Sequence, residues 1–233
     1  MKQTVQLSHL DTKGYLGLGA LVNLMQDCSF NALDKQKELK EYLVEHHVGA
    51  FLSSRQLEIK RIPILGETIE IRASMYKCNP IYCHRNVMVY DENGEILVAS
   101  NAISFFVNMK DLHVSRIPKS VLDTIQLYPP HEMDYQPRKV LLPLSVVPKE
   151  KDRMFVWRFL LDANQHINNA KYLSMAQEFI PIDFPIKRVR VEYQHAAHYG
   201  AYIYPKVYEM PNGYVVNLES HEGKHYAIVE FSC

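Results

Sequence analysis

Residues 162–178 read DANQHINNAKYLSMAQE, and residues 11–27 read DTKGYLGLGALVNLMQD. Each stretch opens on an aspartate, crosses a short polar or glycine-bearing segment, and enters apolar residues at helical spacing. The step from Asp11 to the Gln26-Asp27 pair equals the step from Asp162 to the Gln177-Glu178 pair. In the first stretch Leu18, Leu21, Val22, Met25, Cys28 and Ala32 recur every three or four residues. That recurrence marks one apolar face and predicts a helix over Leu16–Leu39. In the second, Ala170, Leu173, Ala176 and Phe179 mark such a face over Asn168–Phe179, and Pro181 ends it.

Beyond each helix the apolar residues alternate with period two. SSRQLEIKRI (53–62), GETIEIRASMY (66–76), YCHRNVMVYD (82–91) and EILVASNAISFFVN (95–108) read as strands rich in Ile, Val, Phe and Tyr. After the second helix the order returns with KRVRVEYQHA (187–196), GAYIYPKVYEM (200–210), GYVVNLES (213–220) and HYAIVEF (225–231). Asn93-Gly94 and Asn212-Gly213 are hairpin-turn pairs, and His221–Lys224 supplies another turn. Residues 55–71 and 188–204 also align, with Gly66 against Gly200. A helix and then an antiparallel sheet, twice, is an internal duplication. The fold class expected is therefore α+β, with two tandem units in which helix and sheet bury each other. The segment 127–150 holds five of the twelve prolines and reads as the connection. The expected division is 1–128, a linker 129–148, and 149–233.

Bulk composition narrows the function classes. Hydrophobic residues make up 47% of the 233 and charged residues 22%, as in a globular protein. Basic and acidic side chains balance at 26 each, so no bulk attraction to nucleic acid is expected. No run of eighteen apolar residues occurs, so no membrane span is expected. The opening MKQTVQLSHLDTKG lacks an apolar signal core, and the expected location is the cytoplasm. Cys28, Cys78, Cys83 and Cys233 form no CxxC pair and read as reduced thiols.

The two helix entrances differ in chemistry. The first carries Asp11, Lys13 and Tyr15; the second carries Asp162, Asn164 and His166. One functional site per chain produces that asymmetry. Asn168 or Asn169 stands where an N-cap is expected, so backbone N–H donors and the helix dipole favour negative charge there. A carboxylate can take a proton from water, histidine can hold water or shuttle a proton, and asparagine can orient water. These parts suit hydrolysis of an activated acyl group such as a thioester. No GxSxG elbow is present. The bland alternative is that Asp, Asn and His merely cap and solvate a helix entrance.

DANQHINNAKYL resembles the signature of acyl–acyl carrier protein (ACP) thioesterases, Asp-x-Asn-x-His-Val-Asn-Asn-x-x-Tyr. Ile167 stands for the valine, and the tyrosine is Tyr172. The run GxLxLxALxNxMQD at 14–27, LEIKRIPILGETIEI, DENGE and Arg116-Ile-Pro118 resemble further parts of the family. The resemblance implies two fused hot-dog domains, the first with an acyl-chain pocket and a degenerate site, the second catalytic. It implies hydrolysis of acyl-ACP to free fatty acid and ACP, ending chain elongation, with Asp162, Asn164 and His166 as the catalytic set. No cofactor is implied. The partner is ACP carrying a fatty acyl thioester, with no nucleic acid, and a homodimer is an option. A family glutamate is expected where this chain has Ala196, with Ala197 next to it. Asp162 itself, His195, Glu192 or Glu178 are the residues considered for its role. Lys187, Arg188 and Arg190, or Lys149, Lys151 and Arg153, are docking patches for acidic ACP. Met25, Phe30 and Phe51 are named for the pocket.

Other readings are an acyl-CoA thioesterase, a non-catalytic acyl-binding module, a hydratase on the same scaffold, and a metal hydrolase using His195/His198 or His221/His225. In a strand, a spacing of three sends two histidines to opposite faces.

Overall fold

A computed structural model describes residues 1–233. By contacts the chain divides into Met1–Gln136 and Pro137–Cys233. Each unit joins helix to antiparallel sheet, as the alternation and periodicity predict.

The first unit contains β1 (Lys2–Thr4), α1 (Leu18–Asp34), α2 (Lys37–Glu45), β2 (Val48–Ile59), β3 (Thr68–Cys78), β4 (Tyr82–Tyr90), β5 (Ile96–Asn108) and the short α3 (Lys119–Leu122). Its strands pair antiparallel in the order β1-β3-β4-β5-β2. Leu18, Leu21, Val22, Met25 and Cys28 of α1 are buried, the face that the three- and four-residue steps mark. On the sheet, Ile69, Ile71, Val87, Val89 and Val98 are completely buried, with Ile69 and Ile71, and Val87 and Val89, at the alternate positions that period two requires.

The helix predicted to Leu39 stops at Asp34. The chain turns at Lys35 and Gln36 and starts a second helix that the periodicity does not resolve. The reason is tertiary. The turn lets α2 lay Leu39 and Leu43 into a cluster with Val48, Met75, Cys83, Phe106, Ile117 and Ile125. Gln36 also accepts a hydrogen bond from Gln126 N–H through its side-chain oxygen at 3.0 Å.

Cys78 and Cys83 depart from the expectation of reduced thiols, since they are joined in a disulfide. Asn79, Pro80 and Ile81 reverse the chain, so the two cysteines stand opposite each other on neighbouring strands, Cα to Cα 4.2 Å. Asn79 drives the reversal: its side-chain oxygen accepts from the N–H groups of Ile81 and Tyr82 at 2.9 and 2.7 Å.

The second unit contains β6 (Lys149–Glu150), β7 (Met154–Phe155), α4 (Asn169–Gln177), β8 (Arg188–Tyr193), β9 (Tyr202–Met210), β10 (Gly213–Glu219) and β11 (His225–Ser232). Its main strand order is β8-β11-β10-β9-β6, with β7 also on β9. The β9–β10 turn falls one residue earlier than predicted. Pro211 and Asn212 make it, while Gly213 pairs with Met210 as the first residue of β10. Gly213 is glycine for a packing reason, since a Cβ there would run into the Phe231 carbonyl.

The proline-rich stretch is anchored at His131, Tyr135 and Val140. In the first unit His131 N–H and Tyr135 Oη donate to Asn86 Oδ1 at 2.9 and 3.0 Å. In the second, Val140 is buried with Tyr208, Val215 and Ile228, and its N–H donates to Glu192 Oε2 at 3.0 Å. No helix is long and apolar enough to cross a membrane.

Candidate active site

The two helix entrances fold alike, which gives the sequence repeat a structural meaning. In each, the aspartate N–H donates to the carbonyl four residues on: Asp11 to Tyr15 and Asp162 to His166, both at 2.8 Å. In each, the aspartate Oδ1 accepts the N–H two residues on: Lys13 at 2.9 Å and Asn164 at 2.8 Å. In each, the fourth residue has positive φ, 83° at Gly14 and 62° at Gln165. Glycine meets that requirement freely, whereas for glutamine it costs about 1–2 kcal/mol. The second entrance thus carries backbone strain that the first avoids.

The loop leads directly into α4. Asn168, rather than Asn169, is the N-cap: its Oδ1 accepts from Ala170 N–H at 2.8 Å. Its backbone oxygen accepts from Lys171 N–H at 2.9 Å. Two of the first amides of α4 are therefore satisfied locally, which leaves fewer free donors than the sequence suggests.

Asp162, Asn164 and His166 lie together on this loop. One carboxylate oxygen of Asp162 serves the loop, which leaves Oδ2 for chemistry. Asn164 is exposed. His166 is half-buried, and its ring meets the His198 ring edge-on at 4.7 Å between centroids. Burial and, after it, His198 depress the His166 pKa below the ordinary imidazole value, against a smaller opposing pull from Asp162. The imidazole is therefore neutral at neutral pH, able to accept a proton at one nitrogen and donate from the other.

The loop between β8 and β9 is pinned against this entrance through Ala197. Its N–H donates to the buried Tyr172 Oη at 3.0 Å, and its carbonyl accepts from Ile167 N–H at 3.1 Å. Tyr172 is buried on α4, and that burial raises its pKa, so it stays a neutral phenol. A Tyr172→Phe variant keeps the ring and leaves the buried Ala197 N–H without this acceptor. The expected loss is about 1–3 kcal/mol in denaturant unfolding, with a fall in turnover as the loop loosens.

The remaining named residues are distributed widely. Glu192 is buried, accepting from Val140 N–H and lying 3.7 Å from Arg138 Nη1. His195 directs Nδ1 to the His225 carbonyl at 2.9 Å. Glu178 caps the far end of α4, about 13 Å along the helix. Ala196 is exposed. His198 is the residue that sequence reasoning misses as a neighbour of the site. Its spacing from His195 suggests only a metal ligand on a strand, whereas the chain leaves β8 at Tyr193 and His198 sits on the loop beyond it.

Arg190 is tied to Glu230 and to the Pro137 and Lys139 carbonyls. Lys149 pairs with Glu209, and Arg153 lies over the Tyr202 ring. Met25 is fully buried with its sulfur 3.9 Å from Arg55 Nη1, whereas Phe30 is 67% exposed. Phe51 stands on β2 with its ring 6.3 Å from that of Phe105 on β5.

Comparison with known proteins agrees with this architecture. The family description "Acyl-ACP thioesterase N-terminal domain" matches residues 1–125, and "Acyl-ACP thioesterase C-terminal domain" matches residues 147–230. An acyl-[acyl-carrier-protein] hydrolase of Cuphea viscosissima is 31% identical over 139 residues, 56% of this chain and 33% of that protein. A palmitoyl-acyl carrier protein thioesterase of Cuphea hookeriana is 27% identical over 146 residues, 56% of this chain and 32% of that protein. The chain spans about a third of the length of these relatives. An acyl-ACP thioesterase structure from Bacteroides thetaiotaomicron superposes with a TM-score of 0.84 at 18% identity, covering 100% of this chain and 96% of that one. The 12:0-ACP thioesterase from Umbellularia californica gives a TM-score of 0.82 at 16% identity, covering 100% and 95%. These structures share the fold, a helix wrapped by antiparallel sheet in each of two hot-dog units. With both halves of the family matched in order along it, this chain belongs to the acyl-ACP thioesterase family.

Proposed function

We propose that this protein hydrolyses acyl-ACP thioesters to free fatty acid and ACP, ending chain elongation, and that the reaction takes place at the entrance to α4. The observation that carries this reading is the Asp162–His166 loop. It gathers a carboxylate with one oxygen to spare, an exposed amide and a neutral imidazole on one turn. Asp162 Oδ2 accepts a hydrogen of the attacking water and so orients it, while Asn164 holds its oxygen side. His166 donates to the thioester carbonyl oxygen as negative charge develops there. Water adds to the carbonyl carbon, the C–S bond breaks, and the departing thiolate takes up the proton that the water lost. Membership of the family supports the thioester as substrate and ACP as its carrier.

The test is thiol release from a panel of acyl-ACP and acyl-CoA thioesters of graded chain length. The expected result is turnover with acyl-ACP preferred at matched chains. Preference for acyl-CoA makes the protein a CoA thioesterase. Binding of acyl-ACP without turnover makes it a carrier-binding module and overturns the reading. The pH profile carries a second expectation. His166 acts as the neutral form, and its pKa is depressed, so neutral imidazole persists below the ordinary value of about 6.5. The acid limb of kcat/KM is expected to fall below that pH. An acid limb above it rules out His166 as the group that titrates.

A further inference from the structure

We infer that His198 is a further catalytic residue, the base that takes the proton from the attacking water. This rests on the thioesterase reading above. Three observations lead to it. First, the His198 ring stands edge-on to His166 at 4.7 Å between centroids, on a loop that Tyr172 and Ile167 hold in place through Ala197. Second, His198 Nδ1 lies 3.3 Å from the Gln165 carbonyl. A carbonyl oxygen only accepts, so Nδ1 carries the proton and Nε2 carries the lone pair. A histidine whose tautomer is set by a backbone carbonyl has the arrangement of an imidazole held ready to accept a proton. The carbonyl that sets it belongs to Gln165, the strained residue at φ 62° where the first unit has glycine. Third, His198 is exposed, so water reaches it, whereas Glu192 and Glu178 are turned elsewhere. Glu192 is committed to Val140 and Arg138, and Glu178 is at the opposite end of α4.

The proton path balances. Asp162 Oδ2 accepts one hydrogen of the water without removing it. His198 Nε2 removes the other as the oxygen bonds to the carbonyl carbon. The imidazolium, stabilised through Nδ1–H by the Gln165 carbonyl, then gives that proton to the thiolate released when the C–S bond breaks. No further reactant is needed. The titratable groups that face His166 are His198 and Asp162.

The variants His198→Asn and His198→Asn with Ala196→Glu test this. Asparagine keeps a donor near the Nδ1 position, so the Gln165 contact is retained, and removes the Nε2 lone pair. The double variant places a carboxylate two residues back on the same loop, where the family resemblance puts a glutamate. The expected result is a fall in kcat of about 10²-fold or more in His198→Asn, with KM and the melting temperature close to wild type. Ala196→Glu is expected to recover at least about tenfold of that loss. His198→Asn with kcat within about threefold of wild type overturns the assignment. A loss that Ala196→Glu does not recover also overturns it and leaves His198 as a structural cap on Gln165. A wild type inert on every thioester is a different result, because it removes the hydrolase reading itself.

Discussion

Replacing Asp162 with asparagine is expected to lower kcat on the preferred acyl thioester by about 10²- to 10⁴-fold while leaving the melting temperature unchanged. This side chain has two separable duties. Oδ1 holds the loop by accepting from Asn164 N–H at 2.8 Å. Asparagine presents an oxygen at the same place, so the loop, its positive-φ residue and the entrance to α4 survive. What is lost is the charge and the second acceptor oxygen, which in the proposed reaction orient the water. Asp162→Ala removes both duties, so it is expected to lose at least as much activity and also some stability. The comparison distinguishes chemistry from scaffolding, which alanine alone does not. It has a pH signature as well. Asp162 pulls the His166 pKa upward against burial and His198, so the neutral variant is expected to shift the acid limb still lower. Steady-state kinetics across pH, with thermal melts on the same samples, decide it. An Asp162→Asn enzyme within about threefold of wild type reduces the aspartate to a loop anchor, as it is at Asp11.

Leu39→Ala is expected to cost about 2–5 kcal/mol in denaturant unfolding, the range for removing a fully buried leucine. Leu39 is 0% exposed on α2, in one cluster with Val48, Met75 and Phe106. Phe30→Ala deletes a larger side chain from α1, yet it is expected to change stability by no more than about 0.5 kcal/mol, because Phe30 faces solvent. Residue size alone predicts the reverse order. The pair therefore tests the turn at Lys35–Gln36 that separates the two helices. If Phe30→Ala proves the costlier change, the chain does not turn there, and α2 is not part of the core.

Legibility in the sequence depends on how far the deciding interactions reach along the chain. The strands are written locally, because alternation of buried and exposed side chains is a direct consequence of the pleat. So is the buried face of α1, through the three- and four-residue steps, and so is the repeated helix entrance, through an aspartate that bonds within four residues of itself. Asp162, Asn164 and His166 share one turn for the same reason, since five consecutive residues have nowhere else to go. Features that rest on distant partners needed the tertiary structure. The end of α1 depends on Phe106 and Ile117, and the glycine at 213 on the Phe231 carbonyl. Above all, tertiary structure decided the neighbours of the site. Glu192 goes with its strand to Val140, while His198 is brought to His166 on a loop anchored by the buried hydroxyl of Tyr172, 25 residues before Ala197 in the chain. No local pattern encodes that meeting, because its cause is a hydrogen bond closed only when α4 lies on the sheet.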